Sequence, residues 1–151
     1  MKQKQVSNKI VLLLIVLAVG ASVIIFIASQ SKNTSKSNTK NVAQGEQIYQ
    51  QHCASCHGKN LEGQPNWKTR NTQGRLPAPP HDETGHTWHH SDQLLFELTK
   101  YGMVPPNIPE GYESDMPAYK NVLSDEEIWL VLAYIKSRWP EEIITMQSKR
   151  K

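Results

Sequence analysis

The sequence predicts an all-α protein: one small domain of three to four short helices, preceded by a single N-terminal membrane helix. Three observations lead there. Residues 10–28 form an uncharged apolar run. The clear periodic segments after residue 41 repeat with the 3.6-residue period of a helix, and no alternating strand pattern occurs. About 105 residues with that few helices and long Gly- and Pro-rich loops hold too little core for their size, so a buried group is expected to complete it. At 151 residues the chain fits one modest domain with an attachment.

Residues 1–9 carry Lys2, Lys4 and Lys9 and read as a cytoplasmic N-terminus. The run over 10–28 has 19 residues, close to the length that spans a hydrocarbon core. That is longer than the apolar region of a signal peptide, and only Ala28-Ser29-Gln30 offers a weak cleavage site, so an anchor (or uncleaved signal) is expected. Lys32, Lys36 and Lys40 follow it, which leaves the charge rule for orientation undecided. Residues 29–41 are Ser, Asn, Thr, Gln and Lys with no apolar side chain and read as a flexible linker.

The domain is expected over residues 42–140. Val42 to His52 predicts a short helix with Ile48 and Tyr49 available for burial; Gly45 inside it is costly unless another backbone passes close by. Residues 61–80 are a long loop. Ser91 caps a helix through Leu94, Leu95, Leu98 and Tyr101, closed by Gly102. Residues 103–119 return to loop. Ser124 and Glu127 form a capping box for the last helix, in which Ile128, Leu132, Ile135 and Trp139 recur and which Pro140 ends. Residues 141–151 read as a frayed basic tail ending Lys149-Arg150-Lys151.

The net charge of +3 conceals a division. Residues 1–40 hold six lysines and no acid, whereas residues 41–148 hold 8 basic and 14 acidic side chains. No basic stripe interleaved with aromatics exists, so nucleic acid is excluded as a partner. Two cysteines exclude a disulfide scaffold.

Both cysteines lie in Cys53-Ala54-Ser55-Cys56-His57. C-x-x-C-H is the attachment signature of a c-type haem. Two thiols at that spacing reach the two vinyl groups on one porphyrin edge, and the next imidazole lies under the iron. A thioredoxin-like pair would need a strand–helix context, and a zinc site would need two more ligands. An electron carrier also wants a sixth iron ligand, and a downstream methionine is the usual donor. Met116, before Pro117 in a loop ahead of the last helix, is the first candidate. Met103, directly after a helix end, and a histidine are the alternatives. His81, His86, His89 and His90 fall within ten residues. They offer either a second metal site, for an ion such as copper, or a polar loop whose rings bond backbone or haem propionates.

Gly45 to Gly58 (G-E-Q-I-Y-Q-Q-H-C-A-S-C-H-G), Met116 to Tyr119 (M-P-A-Y) and L-S-D-E-E-I-W-L-V-L-A-Y-I-K-S-R-W resemble, in order and spacing, the class I monohaem cytochrome c family, in its membrane-anchored bacterial form. The resemblance implies one covalent haem c on Cys53 and Cys56, with His57 and Met116 as iron ligands. It implies that Pro79 or Pro80 supplies the carbonyl that accepts the His57 N–H, and that Gly45 and Tyr49 cross the last helix near Leu132 and Tyr134 or Ile135. It further implies a single-electron carrier rather than an enzyme, with its haem domain on the periplasmic or otherwise extracytoplasmic side. Its partners would be a quinol-oxidising complex and a terminal oxidase or reductase. A peroxide- or small-ligand-reactive haem enzyme, and an accessory or metal-handling subunit, are the alternatives. The acids Glu110, Glu113, Asp115 and Asp125 to Glu127 flank Met116 and call for at least one partner with a basic patch.

Overall fold

A computed structural model describes residues 36–150, together with Leu14, Gly20, Ile24 and residues 26–30. The chain divides into two compact units, residues 1–39 and 40–151. Most of the 10–28 run lies outside the described residues. Among the described residues no helix is long and apolar enough to cross a membrane. The linker expected over 29–41 is helical wherever it is described, at 29–30 and 36–41, with those side chains exposed. A helix satisfies its own backbone bonds, so it needs no buried face to be extended, only a turn already formed.

Within the second unit, α1 covers residues 40–52, α2 Ala54–His57, α3 Asp92–Tyr101, α4 Asp125–Ser137 and α5 Glu141–Gln147, with a 3₁₀ turn at Thr87–His89. No strand occurs among the described residues. Helix α3 starts where the sequence places it: the Ser91 hydroxyl accepts the Leu94 N–H, and Gly102 closes it with φ 82°. Both arms of the α4 capping box form between Ser124 and Glu127.

Helix α4 carries two apolar stripes and serves two neighbours. Val131, Tyr134 and Ile135 pack with Tyr49, Ala54 and Leu61. Ile128 and Leu132 pack with Leu95, Phe96 and Leu123. The crossing of α1 therefore falls at Leu130 and Tyr134, not at Leu132, which faces α3. A Cβ on Gly45 would lie 2.0 Å from the Leu130 carbonyl oxygen and 3.1 Å from the Tyr134 Cβ. The rings of Tyr49 and Tyr134 sit 5.3 Å apart.

Two expectations about the C-terminus are corrected. Helix α4 ends at Ser137, because the ring of Pro140 disfavours helical geometry in the residue before it. Trp139 instead follows the helix and is buried. The tail expected to fray forms α5, which packs on the 3₁₀ turn and buries Ile143 and Gln147. The Gln147 amide donates to the His90 carbonyl and to Asp92, so the two hydrogen bonds compensate for burying it.

Candidate functional site

The turn that carries Cys53, Cys56 and His57 continues directly from α1. The Cys53 N–H donates to the Tyr49 carbonyl at 2.8 Å, and the His57 N–H to the Cys53 carbonyl at 2.9 Å. Cys53 is half-buried and Cys56 exposed, and the two are not joined as a disulfide. Burial pushes the Cys53 thiol up to about 11. Gly58, at φ 82°, turns the chain back after His57, and the Tyr49 hydroxyl donates to its carbonyl at 2.8 Å.

His57 is buried. Its Nδ1 lies 2.9 Å from the carbonyl oxygen of Pro79. Nδ1–H donating to that oxygen leaves Nε2 with its lone pair available. Burial moves the His57 pKa below the ordinary histidine range, which keeps the imidazole neutral, as a metal ligand must be. Of the two prolines, Pro79 supplies this carbonyl. Pro80 is buried behind it, and its own carbonyl lies 3.4 Å from the Thr87 hydroxyl.

Met116 is half-buried in a loop tied to the rest of the fold at Arg75, Thr99 and His52. Its N–H donates to the Ser114 hydroxyl at 3.1 Å. Arg75 pairs with Glu113 and Asp115 on either side. The Tyr119 N–H donates to the Thr99 carbonyl, and the Tyr119 hydroxyl donates to the His52 carbonyl at 2.7 Å. The last bond ties the M-P-A-Y loop to the residue before Cys53. Met116 and Met103 line the same cleft, of about 340 Å³, with Tyr101, Val104 and Tyr112. The structure thus brings both candidate thioethers to one cavity.

Of the histidine-rich loop, His86 and His90 come together, with ring centroids 5.5 Å apart, while the other rings stack elsewhere. His86 stacks on Trp67 with centroids 5.4 Å apart, His89 on Trp88 at 3.7 Å, and His81 on His57 at 4.0 Å. Among the described residues, no group of three or more His, Cys, Asp or Glu side chains could hold a metal ion. Two residues that composition could not single out also belong to the site. Trp139 donates its indole N–H to the His81 carbonyl at 2.7 Å. The Trp88 indole N–H is buried with no acceptor among the described residues. Trp88 and Cys53 both pack against the cluster built on Tyr49, Val131 and Tyr134.

The acids around Met116 are largely compensated. Glu113 and Asp115 pair with Arg75, Asp125 pairs with Lys100 at 2.7 Å, and Glu127 closes its own capping box. Of the six, only Glu110 and Glu126 make no ion pair or hydrogen bond to the described residues.

Residues 42–139 match the family model described as Cytochrome c. No curated protein and no solved structure matches the chain.

Proposed function

We propose, on the premise that the chain belongs to the cytochrome c family, that it is a membrane-anchored single-electron carrier whose iron is held by His57 and Met116. Membership of the family establishes the cofactor and its use: the domain carries covalent haem c on the Cys53/Cys56 pair and serves haem-based electron transfer. When bound, the haem supplies a one-electron Fe(III)/Fe(II) couple.

The observation that carries the ligand reading is the His57–Pro79 contact, 22 residues apart in sequence. The carbonyl fixes which imidazole nitrogen keeps its lone pair and strengthens that nitrogen as a donor. Met116 sits opposite in function: a neutral thioether in a loop whose anchors at Arg75, Thr99 and His52 limit its movement. A ligand pair held this firmly changes little between oxidation states and leaves no open position for a substrate. The apolar run at 10–28, with 19 uncharged residues, supports a membrane anchor. Its haem domain would then face the periplasm or another extracytoplasmic space, between a quinol-oxidising complex and a terminal oxidase or reductase. Local pairing of Glu113, Asp115 and Asp125 reduces the acidic field that would attract a basic partner patch, so its salt dependence should be modest.

Carbon monoxide binding to the reduced protein tests the carrier reading. A saturated iron binds it slowly or not at all and titrates reversibly as a one-electron couple. Rapid, full binding would mean that Met116 leaves the sixth site open and that the protein is a ligand-reactive haem enzyme.

A further inference from the structure

The face-to-face stack of His81 on His57 plays no part in attaching the haem or in the Pro79 contact. The ring centroids are 4.0 Å apart and the planes are inclined by 22°. A single hydrogen bond from Nδ1 to the Pro79 carbonyl fixes where that nitrogen points. It holds the ring at one atom, so the ring can still rock about the Cβ–Cγ bond within the tolerance of that hydrogen bond. A flat ring against one face removes that freedom.

His81 is itself held on every side. Its N–H donates to the Leu61 carbonyl at 2.7 Å, and its carbonyl accepts the Trp139 indole N–H. Its Nδ1 lies 2.7 Å from the Thr87 hydroxyl. The two prolines before it are clamped by glycine backbones. A Cβ on Gly63 would come within 2.4 Å of the Pro80 nitrogen, and one on Gly85 within 2.0 Å of the Pro80 carbonyl oxygen. Pro79-Pro80-His81 is therefore a rigid brace that touches His57 at its edge through Pro79 and on its face through His81.

We propose that His81 is a positioning residue, whose ring fixes the plane of the His57 imidazole that ligates the haem iron. This rests on His57 being the iron ligand. The two contacts remove different freedoms of the ring. Pro79 sets the tautomer, and His81 sets the angle of the imidazole plane about the iron–nitrogen bond.

The test uses the ferric holoprotein and its paramagnetically shifted haem methyl resonances, whose order depends on the ligand planes. His81→Leu keeps bulk but loses the flat face; His81→Phe keeps both. The leucine variant should reorder the methyl resonances, and the phenylalanine variant should restore the wild-type order. Filling the core alone would make both variants keep the wild-type order, which would overturn the proposal. Should the leucine variant fail to take up haem, Thr87→Val carries the test. It releases His81 Nδ1 and should shift the same methyls in the same direction by less. A wild-type pattern there would likewise overturn the proposal. Failure of the underlying reading looks different: the wild-type protein itself would lack a low-spin, histidine-ligated spectrum.

Discussion

Replacing Gly45 by alanine tests how α1 and α4 meet. The new Cβ would sit 2.0 Å from the Leu130 carbonyl oxygen and 2.6 Å from its carbon. Both are backbone atoms of a helix, so neither can swing aside as a side-chain end could. The helices must part, and that loosens the contacts of Tyr49, Val131 and Tyr134 at the crossing. Overpacking of this kind costs about 1–3 kcal/mol, and a backbone obstacle belongs at the upper end. Alanine returns about 1 kcal/mol of helix propensity. The net loss is about 2 kcal/mol, which for a domain of this size lowers Tm by roughly 10 °C. Thermal unfolding of the holoprotein, followed by far-UV circular dichroism, measures it. Gln47→Ala, an exposed change on the same helix, is the control and should fall within about 0.5 kcal/mol of wild type. A Gly45→Ala protein as stable as wild type, or more so, would refute a backbone-to-backbone crossing at Leu130.

Met116→Leu should abolish the sulfur-to-iron charge-transfer band of the oxidised protein and lower its reduction potential, whereas Met103→Leu should leave both in place; the reverse result would make Met103 the ligand. Ser124→Ala removes one arm of the α4 capping box and should cost about 1 kcal/mol in denaturant unfolding. Glu127 accepts from the Ser124 backbone N–H and then from its hydroxyl, which holds its carboxyl below the usual range. The stability it adds is therefore full above the ordinary glutamate pKa and is lost as pH falls through its lower folded value. Acid titration of Glu127→Gln should show a correspondingly shallower loss. Replacing residues 2–30 by a cleavable export signal should release the haem domain from the membrane fraction into the soluble one with its spectrum unchanged; persistent membrane association would place the anchor elsewhere.

The elements legible in the sequence are those whose signals are local. Ser91 and Gly102 delimit α3, and Ser124 with Glu127 opens α4, because caps act on backbone groups within four residues of themselves. Gly45 is legible as a crossing because its cost has to be offset by a close neighbour, but the partner's register is not. Leu130 contributes only its backbone there, and a backbone contact leaves no trace in residue type. Helix α5 is hidden because seven residues carry too short a pattern, and its buried positions include the polar Gln147. At the site, the spacing of Cys53, Cys56 and His57 reveals the cofactor, since attachment chemistry dictates it directly. The carbonyl partner of His57 narrows in sequence only to one of two prolines. The roles of His81, Trp88 and Trp139 depend on how the loop from 58 to 90 folds back on itself. Leu61 illustrates the difficulty: it is buried at a positive φ of 71°, a conformation its residue type does not announce.

Everything above depends on Cys53 and Cys56 carrying one haem that works as a reversible single-electron couple. A pyridine haemochrome spectrum of the protein after acid–acetone extraction, combined with an anaerobic redox titration, examines both halves of that statement. The haem should stay with the polypeptide, give the spectrum of a porphyrin saturated at both vinyl groups, and titrate reversibly as one electron per chain. Haem that extracts into acetone, or a couple that does not reverse, would contradict it.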